Sequence, residues 1–141
     1  MHRFCSRALL LAVAAVVIGA MGACSNNALT TTPTYTPCPC TDGFSGTLSV
    51  NGAFSHTFTI TTLGSVTASI VSLAPNSAQL VGFGLGVWNG VSCTAASSTD
   101  IATTGSAITL NASSAGTLCV RLYDVGFITT PVLYQLQVVH P

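Results

Sequence analysis

From Gly43 onward, apolar side chains recur at alternate positions in short runs, and Gly, Asn, Pro and Ser break the runs apart. Alternation of this kind marks half-buried β-strands; helices would return an apolar residue about every 3.6 positions. The predicted strands are 47–50, 54–61, 65–73, 78–88, 91–93, 108–111, 116–123 and 132–139. Asn51-Gly52 reads as a hairpin turn, Asn89-Gly90 as a second tight turn, and Ala74-Pro75-Asn76-Ser77 as a further break. Short strands with no helical stretch after residue 43 predict an all-β fold, an antiparallel sandwich or barrel.

The same period assigns faces. Phe54, Phe58 and Ile60 are expected to point inward, as are Val81, Phe83, Leu85 and Val87. In the last two strands the buried series is Leu118, Val120 and Leu122, then Tyr134, Leu136 and Val138. Gly82, Gly84 and Gly86 alternate with the large residues of their strand. With no helix to follow they do not suit a phosphate loop, and are expected to admit a neighbouring backbone or ring.

Ahead of the strands the pattern differs. Arg3 and Arg7 flank a short basic start, and a weakly polar to apolar run extends from Ala8 to Ala23. As a helix that run would rise about 24 Å, short of the roughly 30 Å hydrocarbon core, which favours a removable export signal over a membrane span. Met21-Gly22-Ala23-Cys24 resembles the lipobox of bacterial lipoproteins, with Met21 where Leu is commoner. The resemblance implies cleavage before Cys24 and lipidation of Cys24, so that acyl chains hold the protein on a membrane. It further implies that Ser25 favours sorting to the outer membrane. Residues 24–43 are rich in Thr and Pro, hold no charge before Asp42, and read as an extended spacer. The expected organisation is therefore a signal peptide at 1–23, lipidated Cys24 and linker at 24–43, and a β-domain at 44–141.

Composition narrows the function. Only 4% of the 141 residues are charged, with no Lys and no Glu. A face able to displace counterions from phosphates cannot be assembled, so no nucleic-acid partner is expected. The carboxylates are Asp42, Asp100 and Asp124, none near another in sequence, which argues against a paired acid and base. No nucleophile elbow, zinc-protease helix or phosphate-loop motif occurs, and no enzymatic activity or cofactor is expected. His56 shares a face with Phe54 and Phe58 and reads as a hydrogen-bonded residue at the core edge, while His140 is expected in solvent. A pair of Arg121 with Asp124 or Asp100 would be structural, worth at most about 1 kcal/mol if exposed. Trp88 and Asn89, at a turn, and Tyr123 form the candidate binding surface; a Trp at a hairpin tip can stack on a sugar or fill a partner's pocket, and one at the sandwich end is core.

Within 45–139 the segments Phe54-Ser-His-Thr-Phe-Thr-Ile60, Leu85-Gly-Val-Trp-Asn-Gly90, Ala115-Gly-Thr-Leu-Cys-Val-Arg-Leu-Tyr-Asp124 and Tyr134-Gln-Leu-Gln-Val138 resemble the bacterial pre-peptidase C-terminal domains. The resemblance implies a jelly-roll-like β-sandwich that is exported and either accompanies a secreted hydrolase or stands alone on the envelope. It carries no catalytic motif to this chain.

With Cys5 removed in the signal and Cys24 lipidated, Cys38, Cys40, Cys93 and Cys119 remain, and they allow three pairings. Cys93 with Cys119 is favoured because both lie in or beside strands. Cys38 and Cys40 would then form a small ring, with a Cu(I) or Zn²⁺ site as the alternative. Two thiolates without a nearby His do not complete a zinc site, so no metal is expected. Finally, no Lys guards any sheet edge, and Pro131 guards at most one strand start. Unguarded edges invite strand addition, so an edge is expected to pair with a peptide or with a neighbouring copy, the latter giving self-association through sheet edges. The sequence thus suggests a non-catalytic lipoprotein of the bacterial envelope, its sandwich binding an envelope protein or glycan, or serving a secreted hydrolase as an accessory subunit.

Overall fold

A computed structural model describes residues 39–141. The signal segment, Cys24, Cys38 and the linker up to residue 38 lie outside the described residues. The remainder is all-β, with eight strands: β1 (Cys40–Leu48), β2 (Ala53–Ile60), β3 (Gly64–Ala74), β4 (Val81–Trp88), β5 (Cys93–Ala102), β6 (Ala107–Ala112), β7 (Gly116–Tyr123) and β8 (Val132–His140).

The strands form two four-stranded sheets, ordered β1-β8-β3-β6 and β2-β7-β4-β5, in which every pairing is antiparallel. Only β4 and β5 are both consecutive and paired; every other connection carries the chain from one sheet to the other. That is the jelly-roll arrangement of a β-sandwich. It explains why Asn51-Gly52 makes no hairpin. The turn closes with the Gly52 amide donating to the Ser49 carbonyl at 2.9 Å, and Asn51 supplies its left-handed residue at φ 54°. The strands on either side then pair with β8 and β7 instead of each other. Asn89-Gly90 does open a hairpin, with Trp88 opposite Cys93.

The inner faces meet in one core, with Phe83, Leu85, Val120, Leu122 and Val138 fully buried and Tyr134 and Leu136 nearly so. Expected inward positions hold except at strand ends. Phe54 is 48% exposed and Val87 52% exposed. Both keep the parity of their buried neighbours, but Phe54 stands second in β2 and Val87 next to last in β4, where the facing sheet no longer covers them.

Two strands run longer than their sequences suggest. β1 takes in Cys40 to Gly43, the end of the expected linker, because β8 extends to His140 and supplies a ladder partner for each of them. β5 runs ten residues through Thr, Ala and Ser with no apolar alternation. It is held by β4 across two register shifts and by a disulfide. The bridge joins Cys93 to Cys119. Cys119 stands opposite Gly86 and Cys93 opposite Trp88, so the disulfide ties together the two strands that flank β4.

Candidate functional site

The ladders fix which loops share an end of the sandwich. Leu48 stands opposite Val132, Ala74 opposite Leu133, Tyr123 opposite both Ala53 and Gly82, and Val81 opposite Ala102. Loops 49–52, 75–80, 103–106 and 124–131 therefore gather at one end. Cys40, His140 and loops 61–63, 89–92 and 113–115 gather at the other.

Asp124 organises the first end. Its carboxylate accepts from the amides of Asn51 (2.8 Å), Gly126 (2.7 Å), Phe127 (3.1 Å) and Ile128 (3.2 Å). Partial desolvation pushes its pKa up, but the amides of Asn51, Gly126, Ile128 and Phe127 outweigh that and hold it below the usual carboxylate value. The knot binds the β1–β2 turn to the β7–β8 loop, and Val50 and Phe127 stand exposed on its two sides. Phe54 and Leu133 are exposed at the same end, and Phe54 reaches the Tyr134 ring at 6.4 Å between centroids.

Arg121 pairs with neither Asp124 nor Asp100. Asp124 is occupied by amides, and Asp100 accepts from the Tyr123 hydroxyl, which raises the pKa of that phenol. The Arg121 guanidinium instead lies 5.3 Å from the centre of the Tyr123 ring. Tyr123 itself lies against Gly82, where any side chain would collide with its ring.

The candidate trio Trp88, Asn89 and Tyr123 is not brought together. Tyr123 ends β7 opposite Gly82, whereas Trp88 closes β4 at the far end of the same ladder, about 20 Å away. Trp88 is half-buried. The Asn89 side chain holds its own turn, accepting from the amides of Val91 at 2.9 Å and Ser92 at 2.8 Å.

Along the seam between β1 and β2 lie two imidazoles. His56 Nε2 is 2.9 Å from the Tyr134 hydroxyl, and Phe44 stacks on the ring at 4.8 Å between centroids. Burial lowers the His56 pKa from 6.5 and raises that of Tyr134. His56 is thus the hydrogen-bonded residue at the core edge that its pattern suggested. His140, expected in solvent, is only 6% exposed. It pairs with Asp42 at 3.1 Å and stacks on Phe58 at 5.4 Å between centroids. The cause is the extension of β1, which places Asp42 opposite Val138 beside the end of β8; no local signal around His140 announces it.

Among the described residues, no three of His, Cys, Asp and Glu converge as a metal site would require. Cys40 opens β1 at an exposed position, and Cys38, expected to close a small ring with it, lies outside the described residues. The outer face of the β1-β8-β3 sheet carries two open hollows of 390 Å³ and 330 Å³, without a charged residue in their linings, where Ser45 and Gln135 border both.

No family model and no curated protein matches the chain. Two solved structures are similar. The Yersinia pseudotuberculosis-derived mitogen superposes with a TM-score of 0.56 at 14% identity, covering 74% of this chain and 88% of its own. PliG of Aeromonas hydrophila, a periplasmic inhibitor of g-type lysozyme, gives 0.49 at 10% identity, covering 71% and 84%. At 14% identity the likeness to the mitogen is one of fold alone.

Proposed function

We propose that the chain is a non-catalytic lipoprotein of the bacterial envelope whose β-sandwich binds a protein partner through its loop end. The observation that carries this reading is the exposed apolar set Val50, Phe54, Phe127 and Leu133 at one end of the sandwich, with Cys40, where the linker enters, at the other. A tether from Cys24 would join the domain at the end opposite this apolar set, leaving the set clear of the attachment point. Exposed aliphatic and phenyl groups beside satisfied loop amides suit a protein surface better than a sugar, and the half-buried Trp88 offers little stacking face for a glycan. The resemblance to pre-peptidase C-terminal domains supports an exported module that works beside other envelope proteins, a secreted hydrolase among them.

One experiment reads both halves. A photo-crosslinking side chain is placed at Phe127 or, as control, at Thr67 on the outer sheet face, and the protein is recovered from the membrane fraction and weighed intact. The expected result is a chain starting at Cys24 with acyl mass, and an adduct with one envelope protein from position 127 only. An unmodified chain in the medium overturns the anchor, and absence of an adduct at position 127 overturns the binding surface.

A further inference from the structure

The sandwich leaves four edge strands, β1 and β6 in one sheet and β2 and β5 in the other. Three carry features that discourage a foreign strand. β1 holds Asp42, β2 holds His56 beneath the Phe44 ring, and β5 holds Asp100 and twice breaks register with β4. β6 holds none of these. It reads Ala107-Ile108-Thr109-Leu110-Asn111-Ala112, without charge, Pro or Gly, and its ladder with β3 is uninterrupted from Gly64 opposite Ala112 to Ser69 opposite Ala107.

The open backbone groups of β6 follow from one hydrogen bond. The Ile70 amide donates to the Ser106 carbonyl at 2.9 Å, while the Ile70 carbonyl accepts from the Gly105 amide at 2.8 Å just before the strand begins. The first bond sets the phase of the ladder, in which hydrogen-bonded pairs alternate and fall at 68–108, 66–110 and 64–112. Ile108, Leu110 and Ala112 therefore turn their N–H and C=O groups toward β3. Ala107, Thr109 and Asn111 turn theirs outward, and all three residues are exposed.

We infer that β6 is a dimerisation edge, pairing antiparallel with β6 of a second copy of this chain about a two-fold axis at Thr109. In that register Thr109 faces Thr109 of the second copy, and Ala107 faces its Asn111. Every outward N–H then meets a carbonyl. Ile108 and Leu110, which pack on the core but are only partly covered within one chain, then face each other across the axis, Ile108 of one copy against Leu110 of the other. Moving the axis to Ile108 or Leu110 leaves Asn111 or Ala107 without a strand partner, and moving it by half a residue sets open groups against closed ones. The strand is thus its own complement in a single register, which selects a second copy as the occupant. The surface is separate from the loop end, so either can fail alone.

Residues facing each other in a hydrogen-bonded antiparallel pair have Cα atoms about 5.5 Å apart, within the roughly 4.4–6.8 Å a disulfide spans. The test is mild oxidation of the full chain in the fraction, membrane or medium, from which it is recovered. The Thr109→Cys chain is expected to yield a species of twice the mass, several-fold above the background that wild type gives through its own cysteines. The Thr41→Cys chain, altered on the exposed edge of β1, is expected to stay at background. In detergent solution, light scattering is expected to find wild type dimeric and the Thr109→Lys chain monomeric, because two ammonium groups would meet at the axis. The inference is overturned by background crosslinking at position 109, by equal crosslinking at position 41, or by a dimer that survives Thr109→Lys.

Discussion

His56 is enclosed by rings on two sides. Phe44 lies on its face, the Tyr134 ring stands edge-on with centroids 5.8 Å apart, and the Tyr134 hydroxyl reaches Nε2. With the imidazole neutral and its proton on Nδ1, the phenol donates to Nε2; a second proton turns that acceptor into a donor. Burial already opposes the charge and sets the pKa below 6.5. The sign for stability follows. As pH falls, the unfolded chain takes up the proton before the folded one, so the His56 contribution is complete above pH 6.5. It declines below that value and levels off once the folded ring also protonates. An NMR titration of the His56 ring is expected to give a midpoint under 6.5; one at or above it would mean that water still solvates the ring in the fold.

At the scale of elements, β4 shows what glycine alternation achieves. A Cβ at Gly86 would run into the Thr94 carbonyl oxygen, which is backbone and cannot move aside, whereas one at Gly84 would rest at 3.4 Å from the Ala95 methyl group. Gly86→Ala is therefore expected to destabilise the fold by about 2–3 kcal/mol, as overpacking does, or to displace β5 altogether. Gly84→Ala is expected to be neutral within about 1 kcal/mol, since lower unfolded-state entropy offsets mild crowding. Urea denaturation of the two variants checks both, and equal losses would show that β5 has room to shift. The alternation Val81-Gly82-Phe83-Gly84-Leu85-Gly86 was legible as a strand with a close neighbour, because one face had to be large and the other absent. The full length of β5 was not legible, since an edge strand of Thr, Ala and Ser has no apolar period to display. Asn51-Gly52 misled for a different reason. Its turn is real, but which strands pair is decided by long-range ladders that a dipeptide does not encode.

At the scale of the fold, local connections hold little together: among the described residues β4–β5 is the one hairpin, and every other ladder joins strands distant in sequence. Burial of His140 was invisible in the chain for this reason, as it depends on a strand that begins 100 residues earlier at Cys40. A long-range cross-link counts for more in such a topology. The Cys93–Cys119 bridge, which the placement of both residues by strands did make legible, spans 26 positions and includes β5 and β6 in its loop. In the chain-entropy picture, closing a loop of that length removes about 3.5 kcal/mol of freedom from the unfolded chain. Domains of this size are stable by only about 5–15 kcal/mol, so the bridge supplies a large share and suits an oxidising compartment. Replacing both partners by Ala is expected to lower the unfolding free energy by about 3–4 kcal/mol in urea, with the sandwich still formed at low temperature. A loss under about 1 kcal/mol would mean that the unfolded chain already keeps β5 and β7 close without the bond.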